Sequence, residues 1–187
     1  MGKLENEKRC RDDANIRLVG RNRRRLVRRR MSRHKEHMTF RTYMNLALEQ
    51  ARAAGARGEV PVGAVVVSAD GEVLSRAGNR TRELNDPTAH AEILAIREAC
   101  QSLGVERLTA AQLFVTLEPC PMCAAAISNA RIARLYYGAS DPKSGGVAHG
   151  ARVFSHSQCH HVPEIYDEIA ASESEAMLKA FFKAKRS

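Results

Sequence analysis

The chain has 187 residues, enough for one domain with a proper core, and its 44% apolar content is that of an ordinary globular protein. No apolar run approaches the roughly 18 residues of a membrane span, and Met1 to Gly20 lacks the apolar core of a secretory signal, so a soluble, cytoplasmic protein with no membrane partner is expected. The net charge of +9 sits at one end: residues 1–37 hold 14 Lys and Arg against 5 Asp and Glu, whereas residues 38–187 hold 16 against 16.

Residues 1–37 therefore read as a basic N-terminal extension, expected to be disordered, in which Arg21 to Arg30 carries seven arginines. Such a run suits an electrostatic arm for RNA, or it is an extension without function. Glu5, Glu7, Asp12 and Asp13 spoil the acid-poor pattern of an organellar transit peptide. The domain proper is expected over residues 38–187, where the pattern changes. Phe40, Tyr43, Met44, Ala47, Leu48 and Ala51 recur at helical spacing, which predicts an amphipathic helix capped by Thr39 and stopping at Gly55. Gly63 to Ser68 is a β-branched run, Ala69-Asp70-Gly71 a turn, and Glu72 to Ala77 the returning arm of a hairpin.

After a polar loop, a second helix is predicted over about Ala89 to Leu103, closed by Gly104, with His90 and Glu92 in its first turn. Gln112 to Thr116 reads as a buried strand, Pro121 as the first position of a third helix reaching about Ala130, and Ile132 to Tyr137 as another strand. The loop Gly138 to Gly150 is long enough to be a functional surface, and a last helix covers about Ser172 to Lys185. Strands alternating with helices predict an α/β protein, a three-layer α/β/α sandwich.

Five cysteines without a secretory signal point to metal or catalytic use rather than disulfides. Thr116 to Cys123 reads T-L-E-P-C-P-M-C, and its two cysteines, three apart at a helix start, can face one side, where the helix N-terminus favours thiolates. His90 completes a three-ligand nitrogen and sulfur set suited to Zn²⁺, with the fourth tetrahedral position left for water, the arrangement of a catalytic zinc. Glu92 lies too close to His90 to share its helical face, so it is assigned to the water and the substrate as the general acid and base. Histidine-x-glutamate followed by proline-cysteine-x-x-cysteine is the signature of zinc deaminases acting on nucleobases. His156, Cys159, His160 and His161 show no ligand spacing that would make a second metal site.

The region from about Met38 to Arg186 resembles the bacterial tRNA-specific adenosine deaminases of the cytidine deaminase-like superfamily. The matching segments are E-V-P-V-G-A-V at Glu59 to Val65, G-N-R at Gly78 to Arg80, D-P-T-A-H-A-E at Asp86 to Glu92, the cysteine segment, and Y-G-A-S-D-P-K at Tyr137 to Lys143. A-R-I at Ala130 to Ile132 and the terminal F-F-K-A-K-R match as well. The resemblance implies a central five-stranded mixed sheet, a homodimer, one zinc per subunit, and hydrolysis of adenosine to inosine at the wobble position of a tRNA anticodon. It further implies that Asn79 binds the flipped nucleoside and that Asp141 contacts the nucleotide backbone or a sugar. Lys143, Lys183 and Arg186 are candidate phosphate contacts, and Phe181 or Phe182 either stacks on an anticodon base or, by its helical spacing, packs into the core. Glu118 is read as structural, holding the loop before Cys120. The chain departs from the family at Ser144 to Gly150, where a small-residue segment is usual. A deaminase of a free base or nucleoside, guanine or cytosine, is the alternative, and an RNA-binding protein with a structural zinc is a third reading.

Overall fold

The computed structural model describes residues 39–186, so the expected basic extension of residues 1–37 lies outside the described residues. Helix α1 spans Phe40–Ala56, β1 Gly63–Val67, β2 Val73–Gly78, α2 Ala91–Leu103, β3 Gln112–Leu117, α3 Pro121–Asn129, β4 Arg134–Ala139, β5 Glu164–Tyr166 and α4 Ala171–Arg186. A short 3₁₀ turn, Val153–Ser155, precedes β5. Among the described residues no helix is long and apolar enough to cross a membrane.

The five strands form one mixed sheet in the order β2-β1-β3-β4-β5. β1 pairs antiparallel with β2 and with β3, whereas β3–β4 and β4–β5 are parallel. Side chains alternate across a strand, and this decides the layers. Ala64, Val66, Leu113, Val115, Leu135 and Tyr137 face α2 and α3 in one core. Val65, Val67, Phe114 and Tyr136 face α1 in the other, and α4 packs beside α1 against β4. The three-layer α/β/α sandwich with its five-stranded mixed sheet is thus observed.

Local sequence explains the main elements. The Thr39 side chain accepts from the Thr42 N–H and caps α1, as its sequence predicts. α1 then lies so close to β1 that a Cβ at Gly63 would collide with the helix backbone at Ala47 and Ala51. β4 begins two residues later than expected. Arg131 takes a left-handed conformation, and Ile132 and Ala133 complete the turn out of α3 by bonding back to Ile127 and Ala111. β5 is a strand that no sequence pattern marks. It is held at the sheet edge by the Arg134–Glu164 ion pair at 2.9 Å and by Tyr166 stacked on Tyr136 at 4.7 Å, itself stacked on Phe114 at 4.5 Å.

One end of the sheet gathers the segments that matter chemically. The antiparallel pairings bring the end of β2 and the start of β1 beside the ends of β3 and β4. The Gly63 N–H donates to the Thr116 hydroxyl across this end at 3.1 Å.

Candidate active site

α2 starts at Ala91, not Ala89, so His90 is its N-cap residue, in extended conformation, and Glu92 alone lies in the first turn. Cys120 holds the same place on α3, with Pro121 following it and Cys123 in the first turn. Neither His90 nor Cys120 caps its own helix with its side chain. Both side chains instead converge on each other.

His90 Nδ1 lies 3.6 Å from Cys120 Sγ and 3.5 Å from Cys123 Sγ, and the three donor atoms all fall within 4.8 Å of one another. Tetrahedral zinc with ordinary Zn–S and Zn–N bonds of about 2.3 and 2.05 Å separates a sulfur from a nitrogen by roughly 3.6 Å. The donor set and its spacing therefore suit zinc. A hydrogen bond from the Cys123 thiol holds Cys120 down at about 4, against the opposing effect of burial, with His90 adding to the effect. The same hydrogen bond, with burial, pushes Cys123 well up. Its bond with Cys120 raises the His90 imidazole above its ordinary range.

Glu92 is only 3% exposed, and burial raises its carboxyl above the ordinary range, while its own backbone N–H and the His90 charge work the other way. A carboxyl that can hold or release a proton thus lies beside the ligand group without being part of it. Asn79, 6% exposed, accepts a 2.8 Å hydrogen bond at Oδ1 from the N–H of Ala91, the first residue of α2. It supplies the cap that His90 withholds, and this fixes the orientation of its amide.

The structure resolves what Glu118 does. It is 2% exposed and accepts five hydrogen bonds: at Oε1 from the N–H groups of Val147, Ala148 and His149 at 2.9–3.2 Å, and at Oε2 from the Asp141 N–H and His149 Nδ1 at 3.0 and 2.7 Å. Burial opposes its ionisation, but these donors outweigh it and hold the carboxyl below its usual range. What it organises is the 141–149 loop, more than the turn before Cys120. Gly146 of that loop donates to Pro119 O at 2.8 Å, and a Cβ there would come within 2.5 Å of Pro121 N. The loop is seated directly on the ligand turn.

Glu59 plays the same part for the loop after β2, a role that its sequence alone does not assign. Buried at 1% exposure, it accepts from the Thr81 hydroxyl at 3.1 Å and from the N–H groups of Arg82 and Glu83, both at 2.9 Å. The available signal was a lone acid in the otherwise apolar segment Glu59 to Val67.

The remaining sequence candidates are spread out. Asp141 spends Oδ1 on the N–H groups of Lys143 and Ser144 at 3.1 and 3.0 Å, and Lys143 is exposed. Phe182, Lys183 and Arg186 lie on the exposed end of α4. Phe182 is 46% exposed, so the core-packing alternative fails for it; Phe181 is the half-buried one of the pair. His156 and His161 are bonded to the backbone oxygens of Ala151 and Ile132, and Cys159 to Ser128 Oγ and His161 O. Among the described residues these side chains form no metal group.

Residues 38–139 match the cytidine and deoxycytidylate deaminase zinc-binding region. The chain is 63% identical over 144 residues to a tRNA-specific adenosine deaminase of Agrobacterium fabrum, covering 77% of this chain and 94% of that one. A protein solved in studies of A-to-I editing by tRNA:A34 deaminases at the wobble position of transfer RNA superposes with a TM-score of 0.72 at 64% identity, covering 73% of this chain and 98% of that one. The guanine deaminase of Nitrosomonas europaea shares the fold, with a TM-score of 0.67 at 21% identity over 76% of this chain and 84% of that one.

Proposed function

The chain belongs to the cytidine and deoxycytidylate deaminase zinc-binding family, and from that premise we infer that it is a tRNA adenosine deaminase, hydrolysing adenosine to inosine and ammonia at the wobble position of the anticodon. The observation that carries the reading is the buried, protonatable Glu92 beside the three donor atoms of His90, Cys120 and Cys123. Those three residues would hold one zinc per subunit, which when bound supplies Lewis acidity and brings the ionisation of water towards neutral pH.

Glu92 does the proton work. Water adds its oxygen to C6 of the adenine, and Glu92 moves the released proton to the ring nitrogen N1. A second proton, from the added hydroxyl, passes through the same carboxyl to the amino group. The C–N bond breaks, ammonia departs, and the oxygen stays as the C6 carbonyl of inosine. Asn79, its Oδ1 fixed by Ala91, turns its Nδ2 donor to the nucleoside. Asp141 and Lys143 on the Glu118-held loop, and Phe182, Lys183 and Arg186 on α4, contact the anticodon loop, with Phe182 offering an exposed ring for stacking. A homodimer acting in the cytoplasm completes the proposal.

The test is incubation of the zinc-loaded protein with a transcribed tRNA carrying adenosine at the wobble position, followed by nuclease digestion and detection of inosine. Inosine at that position is expected, and Glu92→Ala should abolish it while retaining zinc. No inosine from zinc-loaded wild type would refute the tRNA reading, and turnover by Glu92→Ala would remove Glu92 from its role.

A further inference from the structure

An open cleft of about 550 Å³ runs along the β2 edge of the sheet between α1 and α2, lined in part by Gly78, Arg80 and Glu83. Four arginines from four elements enter it: Arg57 after α1, Arg76 on β2, Arg80 in the loop and Arg97 on α2. Two acids share it, Glu83 and Glu98, which leaves two positive charges in excess. Glu83 is committed to Arg80, at 2.7 Å, and to Arg57, at 3.4 Å. Among the described residues no ion pair is formed by Arg76 or Arg97; Arg97 feels the Asp86 carboxylate only through space.

We propose that this cleft is a phosphate-binding groove for the tRNA backbone, with Arg76 and Arg97 as its two phosphate contacts. The inference rests on the reading of the chain as a tRNA deaminase. Three observations point to a polymer backbone rather than a compact anion. The cleft is open, its cations arrive from separate elements instead of converging on one point, and it shares the Gly78–Glu83 segment with the base-binding side. Asn79 faces the α2 start on one side of that segment, while Arg80 faces the cleft on the other. Glu59 pins the segment from beneath through the N–H groups of Arg82 and Glu83, so a phosphate held in the cleft is held at a fixed offset from the nucleoside. Arginine suits the role because its planar fork pairs with two phosphate oxygens. The groove thereby supplies register along the RNA and carries no base information.

The test compares wild type with the double variant Arg76→Ala, Arg97→Ala, measuring tRNA affinity between 50 and 200 mM salt and inosine formation at saturating tRNA. Each phosphate contact contributes about 0.7–0.9 to the slope of log affinity against log salt. Loss of two should flatten the slope by about 1.6, so the wild-type advantage shrinks roughly ninefold across that range. kcat should stay within about twofold, with the defect in KM. Arg76→Lys, Arg97→Lys keeps the charges and should restore most of the slope, and Arg107→Ala, outside the cleft, should not change it. An unchanged slope in the double alanine variant overturns the groove, as does a kcat loss that the lysine variant does not rescue. Because the slope is a binding measurement, it is read independently of turnover; absence of inosine with wild type condemns the enzymatic reading instead.

Discussion

Glu118→Ala removes one carboxylate and orphans five donors at once. A hydrogen bond to a charged acceptor contributes about 1.5–3 kcal/mol. Only the bond from Val147 N–H is fully buried; the other four are part-buried, where water takes over much of the acceptor's work. The expected loss is therefore about 3–5 kcal/mol and well below the simple sum, which for a domain of this size lowers Tm by roughly 6–20 °C. Glu118→Gln separates the donors. Its one oxygen still serves Val147, Ala148 and His149, the His149 ring adapts by presenting an unprotonated nitrogen to the new amide, and only the Asp141 N–H is left facing another donor. It should cost about 1–3 kcal/mol. Differential scanning fluorimetry of both zinc-loaded variants is the assay. A fall of less than about 3 °C for the alanine variant, or a glutamine variant as damaged as the alanine one, refutes the claim that this carboxylate holds the loop.

Ser174 Oγ is the one buried side-chain polar atom found without a partner among the described residues, so Ser174→Ala should be neutral or stabilising by up to about 1 kcal/mol, and a clear drop in Tm would reveal a hidden partner. Gly146→Ala places a methyl group within 2.5 Å of Pro121 N and 2.8 Å of the Cys120 carbonyl carbon, so it should push the loop off the ligand turn and speed zinc release to a chelator severalfold. Unchanged release would show that the loop gives way instead. Tyr137 is buried and its hydroxyl is raised to about 12, chiefly by burial. The unfolded chain ionises first, near 10, so this contribution is intact below pH 10 and is lost as the pH climbs towards 12. Tyr137→Phe should flatten the alkaline fall in stability by up to about 2–3 kcal/mol, and identical alkaline profiles would remove Tyr137 as its cause.

The convergence of His90, Cys120 and Cys123, with Glu92 beside them, was legible because a metal site demands particular donor types at short spacings, and two short segments carry all four residues. Helix α1 was legible because its apolar residues recur faithfully on one face. β5 was not: its three residues, Glu164, Ile165 and Tyr166, are all exposed, so no alternation of burial marks them, and Tyr136 two elements away decides their place. The helical placement of His90 failed for a related reason. The sequence pattern of α2 continues back to Ala89, but the N–H of Ala91 is capped by Asn79, which lies twelve residues away, and that cap sets the true start. The arginine cleft was hidden by averaging. A domain with 16 basic and 16 acidic residues has no net charge to report, yet the fold brings four of its arginines to one edge of the sheet.

His90 and Cys120 occupy the two positions where a helix most benefits from an aspartate, serine or threonine, and neither closes its helix. A proper cap contributes about 1 kcal/mol; α2 recovers part of it from Asn79, whereas Cys120 gives α3 no side-chain cap, so with no metal bound the candidate ligand positions are places where a helix start, that of α3 above all, is less stable than another residue would make it. Selection for activity and selection for stability therefore pull in opposite directions at these two positions. Cys120→Ser or His90→Asp, once zinc is set aside, moves each helix start towards its preferred chemistry. Variants that have lost the reaction should then persist as well-folded proteins, still able to occupy RNA. Inactivity in this fold need not announce itself as instability, and a descendant that had shed the chemistry would keep a sound scaffold for another use.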